Sequence, residues 1–139
     1  MNLFDAVEWV KIAEEDIYSA KILIVQVRKP LEIICYHCAQ TAEKLLKGFI
    51  TYHDIEPQKT HDLIALLKMC KNIDDSFDEI SKECNFINKA GTDIRYPKRI
   101  EINESDTNYC IKAVEKIMDF TPIKNLINEV EKFISNQDI

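Results

Sequence analysis

Glycine is almost missing from this sequence: 139 residues contain only Gly48 and Gly91. That excludes a glycine-rich phosphate loop and leaves few candidates for tight hairpin turns. Alternating strand patterns bounded by turn residues are missing too. No apolar run approaches the length that spans a bilayer. The N-terminus has no basic segment followed by an apolar run, so the sequence carries no secretory signal and the chain is expected in the cytoplasm. Positive charge is in deficit. A net charge of −6 argues against coating nucleic acid through a broadly basic surface, though a local cationic pocket remains compatible with it. There is no His-Glu-x-x-His and no pair of carboxylates at metal spacing, so neither a metal nor a cofactor is expected.

Three- and four-residue apolar spacings fill the chain instead. They predict one all-α domain over residues 1–139, an up-and-down bundle of about five helices. A first helix is expected from Asp5 to Arg28, with Val10, Ala13, Ile17, Ala20, Ile24 and Val27 as its inner stripe. Pro30 suits the first position of a second helix reaching His53, with Cys35, Cys38, Ala42, Leu45 and Phe49 inward. The short link around Pro30 makes these two helices antiparallel neighbours, and Ala20, Ala42 and Gly48 allow close approach. Thr60 is the expected cap of a third helix carrying Leu63, Leu66, Leu67 and Cys70. A fourth helix follows Asp74 or Asp75 with Phe77, Ile80, Cys84 and Ile87 inward. Ser105 is the expected cap of a fifth, and Pro122 either kinks it or divides it from a last helix.

Five cysteines occur, and Cys35 and Cys38 flank His37 on one helical turn. Zinc normally takes four ligands, and Cys70, Cys84 and Cys110 are solitary. Both thiols of the pair fall on the buried stripe, so they read as small core hydrophobes.

Four stretches, WVKIAEEDIYSAKIL (9–23), CYHCAQTAEKLLKGFI (35–50), THDLIALL (60–67) and DIRYP (93–97), come in the order seen in the HEPN family. The chain resembles that family over nearly its whole length. The resemblance implies a helical bundle, often homodimeric, that binds a nucleotide or RNA. It also implies a small nucleotidyltransferase as partner, in a toxin–antitoxin-like pair. Many members of the family are ribonucleases whose signature is Arg, four to six residues, then His. Here the positions after Arg95 hold Ile100, Glu101 and Ile102, and neither Arg28 nor Arg99 is followed by histidine at that distance. The chain therefore resembles an Arg-Tyr-Pro branch acting as a binding module, with no catalytic residue and no enzymatic activity expected. Two alternatives stay open: a ribonuclease toxin with a non-standard site around His61 and Arg95, and a pure protein-interaction module.

The expected nucleotide- or phosphate-binding residues are Arg95, Tyr96 and Arg99, with Lys44, Lys47 and His61. Guanidinium forks match phosphate, and a tyrosine face stacks on a base. Lys44 and Lys47 share one helix face with Gln40. The plainer readings are a solvated Lys47, a structural ion pair at Arg95, and a capping or packing role for His61. Asp16 lies beside an apolar stripe and needs a partner, for which Lys44 or Arg95 is expected, a lone half-exposed Asp being the alternative. Surplus apolar surface at Phe133 and Ile134 points to dimerisation.

Overall fold

A computed structural model describes residues 1–92 and 101–137. Among these residues every regular element is helical. The helices are α1 (Leu3–Ile24), α2 (Leu31–Tyr52), α3 (Leu63–Ile73), α4 (Ser81–Gly91), α5 (Glu104–Asp119) and α6 (Thr121–Gln137), with a 3-10 turn over Asp75–Ile80 before α4. The expected all-helical bundle is present. Pro122 divides the last two helices rather than kinking one: Phe120 turns extended and α6 starts at Thr121. No helix among the described residues is long and apolar enough to cross a membrane.

α2 is the central rod and packs against α1, α3, α4, α5 and α6. The backbone N–H of Asn2 donates to the Tyr52 carbonyl at 2.8 Å, so α1 begins where α2 ends and the two run antiparallel. Cys35, Cys38, Ala42, Leu45 and Phe49 are all buried, as their spacing predicts. All five cysteines are free and buried. Burial pushes the Cys38 and Cys70 thiols up, and the Cys84 thiol to about 12, which suits inert core thiols. Among the described residues no group of three or more His, Cys, Asp or Glu could hold a metal.

Both glycines mark close approaches. A Cβ at Gly91 would sit 2.3 Å from the Cys35 carbonyl oxygen, so α4 lies directly on the α2 backbone. A Cβ at Gly48 would sit 3.2 Å from the Trp9 Cβ, which fixes how near α1 comes to α2. Phe77 closes one end of the core, 4.5 Å from the Phe49 ring and 5.0 Å from the Phe120 ring.

Several local expectations are corrected. α1 stops at Ile24, not Arg28, and Val27 is fully exposed. The Gln26 side chain turns back to donate to the Ile22 carbonyl at 3.0 Å, which caps the helix early. Pro30 also disfavours helical geometry at Lys29. Asp62, not Thr60, caps α3 by accepting from the Ile64 N–H at 3.0 Å. Thr60 supports it from upstream, its hydroxyl accepting from the Asp62 N–H. Asn103, not Ser105, caps α5, in a reciprocal capping box with Asp106. Phe133 and Ile134 pack half-buried against the core. The most exposed large apolar side chains lie instead at Met1, on α1 and on the turn after it, at Phe4, Tyr18, Val25 and Val27.

Candidate functional site

α2 places a carboxylate where its packing would favour an apolar residue. Ala39, Glu43, Leu46 and Ile50 form one buried line along the helix. Glu43 is only 1% exposed. A carboxylate taken out of water needs charged or hydrogen-bonding partners, and three converge on it. Lys44 Nζ donates to Oε2 at 2.8 Å and Lys47 Nζ to the same oxygen at 3.1 Å. His61 Nδ1 lies 2.8 Å from Oε1. Burial alone would raise the Glu43 carboxyl, but hydrogen bonds from Lys44, His61 and Lys47 together hold it below the ordinary carboxylate range.

α1 supplies the lid. Trp9 lies half-buried with the Lys44 ammonium 5.6 Å and the Lys47 ammonium 5.5 Å from its ring centroid. Each cation is shared between a carboxylate and an indole face. Gly48 is what lets the Trp9 Cβ come so near. The Trp9 ring thus rests on the two lysines.

Three of the expected binding residues, Lys44, Lys47 and His61, are thus brought together, and Glu43 is the group that gathers them. Arg95, Tyr96 and Arg99 lie outside the described residues, as does Lys98. His61 neither caps α3 nor packs in the core. It is 73% exposed and, among the described residues, held by its Nδ1. Nδ1 donates its hydrogen to the Glu43 carboxylate, which leaves Nε2 on the outer side of the ring. Lys47 is not a solvated lysine: its side chain is 9% exposed.

Glu43 was missed by sequence reasoning, although a signal existed: one acid on the Ala39–Leu46–Ile50 line. Among the described residues Asp16 pairs with His37 rather than with Lys44, while Arg95 lies outside the described residues. Its Oδ1 lies 3.0 Å from His37 Nδ1. His37 stands two turns before Lys44 on α2, and antiparallel packing sets Asp16 beside it. Lys44 is already committed to Glu43. Thr41, fully buried, donates back to the His37 carbonyl at 2.8 Å within α2.

The cluster holds two lysine cations against one carboxylate, with a histidine tip in solvent. Such an arrangement can take an anion in hydrogen-bond reach of Lys44, with Lys47 contributing charge from behind; His61 joins as a donor through Nε2 when both ring nitrogens carry hydrogen.

No curated protein sequence matches this chain. In three dimensions it is similar to the crystal structure of an archaeal HEPN homologue, with a TM-score of 0.66 and 25% identity, over 88% of this chain and 97% of that one. A family profile for the HEPN domain matches residues 6–134, which include every helix that builds the cluster. With nearly the whole sequence matched and the bundle shared, the chain belongs to the HEPN family.

Proposed function

We propose that the chain is a nucleotide- or RNA-binding module that works with a small nucleotidyltransferase in a toxin–antitoxin-like pair. HEPN membership supports the nucleotide- or RNA-related part at the level of the family. The observation that carries the reading is the excess of positive charge at Glu43: Lys44 and Lys47 share one carboxylate, and His61 presents Nε2 beside them. A phosphate group would complete the balance that Glu43 leaves unfilled. Arg95, Tyr96 and Arg99 are proposed to add a second cationic contact and a stacking face. On this reading the chain binds and does not catalyse, because no histidine follows an arginine at the family's ribonuclease spacing.

Calorimetry with ATP, GTP and a short single-stranded RNA tests it. Saturable binding that weakens in Lys44→Ala and in Arg95→Ala supports the site. Absence of heat with every ligand rejects it. Co-purification of a nucleotidyltransferase from the native host tests the partner.

A second reading draws on one observation, the Glu43–His61 pair. A carboxylate that fixes Nδ1 and leaves Nε2 outward is the geometry of a general base. Cleavage of RNA by the purified protein, lost in His61→Ala, would favour this ribonuclease reading over binding alone.

A further inference from the structure

A second cleft opens where the end of α2 meets the 3-10 turn and α6, away from the lysine cluster. Its volume is about 690 Å³. One wall is aromatic. His53 lies 4.5 Å from the Phe49 ring and 5.3 Å from the Tyr52 ring, so half-buried Tyr52 and His53 form the open face and buried Phe49 backs it. The other side is acidic, with Asp74, Asp75 and Glu129. Among the described residues no lysine or arginine lines the cleft. Among the described residues none of these three carboxylates has an ion-pair partner, whereas Glu43, Glu83 and Asp78 each hold a lysine. Both Ser76 bonds to Asp74 go to Oδ1, at 2.9 Å from the backbone and 2.7 Å from the hydroxyl. They fix the carboxylate in place and favour its charged form. The first turn of α6 brings a partial positive charge to one side, and three full negative charges outweigh it.

Unpaired carboxylates beside an aromatic wall suit an organic cation. A metal ion fits poorly, since no described trio of ligands is close enough to hold one. A planar guanidinium fits best: it stacks on aromatic faces while its edge bonds carboxylates. We propose that this cleft docks an arginine-bearing basic segment of a partner protein, one arginine lying on the Tyr52–His53 wall between Asp74, Asp75 and Glu129. The occupant is chosen on charge complementarity, and the site is separate from the anion site around Glu43. The two proposals can therefore fail independently.

The test is titration of the full chain with a fluorescent tri-arginine peptide, with spermidine as competitor. Saturable one-site binding is expected. The double variant Asp75→Asn/Glu129→Gln should weaken it about tenfold, since both charges bound the cleft. The control Glu8→Gln/Glu15→Gln removes two exposed acids from α1 and should leave it unchanged. An equal loss in the control would reduce the effect to net charge and overturn the proposal. So would absence of saturable binding, or spermidine binding more tightly than the peptide. Lys44→Ala, which tests the anion site, should leave peptide affinity intact.

Discussion

Glu43 Oε1 and His61 Nδ1 lie 2.8 Å apart, although one residue is sealed inside α2 and the other stands in solvent ahead of α3. The pair ties the connecting segment to the central helix. It also shows which partner carries the energetic weight. Glu43→Gln keeps the shape but strips the counter-charge from Lys47, which is only 9% exposed. A loss of about 3 kcal/mol in unfolding free energy is expected, because an uncompensated buried charge is left behind. His61→Ala should cost about 1 kcal/mol or less, since water can take the place of an exposed imidazole. Urea unfolding of the two variants checks the order; equal losses would show that the cluster is not built around Glu43.

The same carboxylate sets a pH dependence. Its folded state titrates below the ordinary value of 4.5. The unfolded chain therefore takes up this proton first as pH falls. The contribution of Glu43 is complete above about 4.5 and is lost as pH drops through the lower, folded value. The stability gap between the natural protein and Glu43→Gln should accordingly narrow below pH 4.5. Thermal unfolding across pH 7 to 3 measures it, and a gap that widens on acidification would contradict the network.

The two glycines should differ sharply. At Gly91 a methyl group would meet the Cys35 carbonyl oxygen at 2.3 Å and the Ala39 Cβ at 2.7 Å. Backbone on one side and a neighbouring Cβ on the other cannot yield without moving a helix, so Gly91→Ala should cost about 3 kcal/mol. At Gly48 the nearest atom is the Trp9 Cβ at 3.2 Å, which a small shift of α1 relieves. The helical gain of alanine over glycine, about 1 kcal/mol, offsets that shift, so Gly48→Ala should change stability little. It should instead move the indole off the lysines, readable as a change in Trp9 fluorescence.

Capping gives a third contrast. Asn103→Ala removes a side chain that accepts the Asp106 N–H at 2.8 Å, and should cost about 1 kcal/mol. Ser105→Ala lies on the exposed first turn of α5 and should be neutral. A larger loss at Ser105 would reverse the assignment of the cap.

The expectations that failed share a cause. Val27 fits the apolar period of α1, yet Gln26 and the Pro30 link end the helix before the period can matter. Thr60 and Ser105 are good capping types, but Asp62 and Asn103, two residues away in each case, are equally good. Local chemistry allows either choice, and the packing of the loop selects one. Leu63 shows how: its N–H is taken by Asn88 Oδ1 at 2.9 Å, from a helix 25 residues later in the chain.

What the sequence settled alone was the class of fold and the inward faces. Three-four periodicity and scarce glycine leave only helices, and burial of stripes such as Val10–Ala13–Ile17–Ala20 follows from hydrophobicity with no knowledge of neighbours. The polar partnerships were decided by tertiary structure. Asp16 chose His37, and Glu43 gathered Lys44, Lys47 and His61, because a buried carboxylate is satisfied by whichever donors the packed helices deliver within about 3 Å. Apolar contact needs only proximity, so a repeat in one dimension can announce it. A hydrogen bond needs distance and direction between residues far apart in the chain, and those exist only after folding.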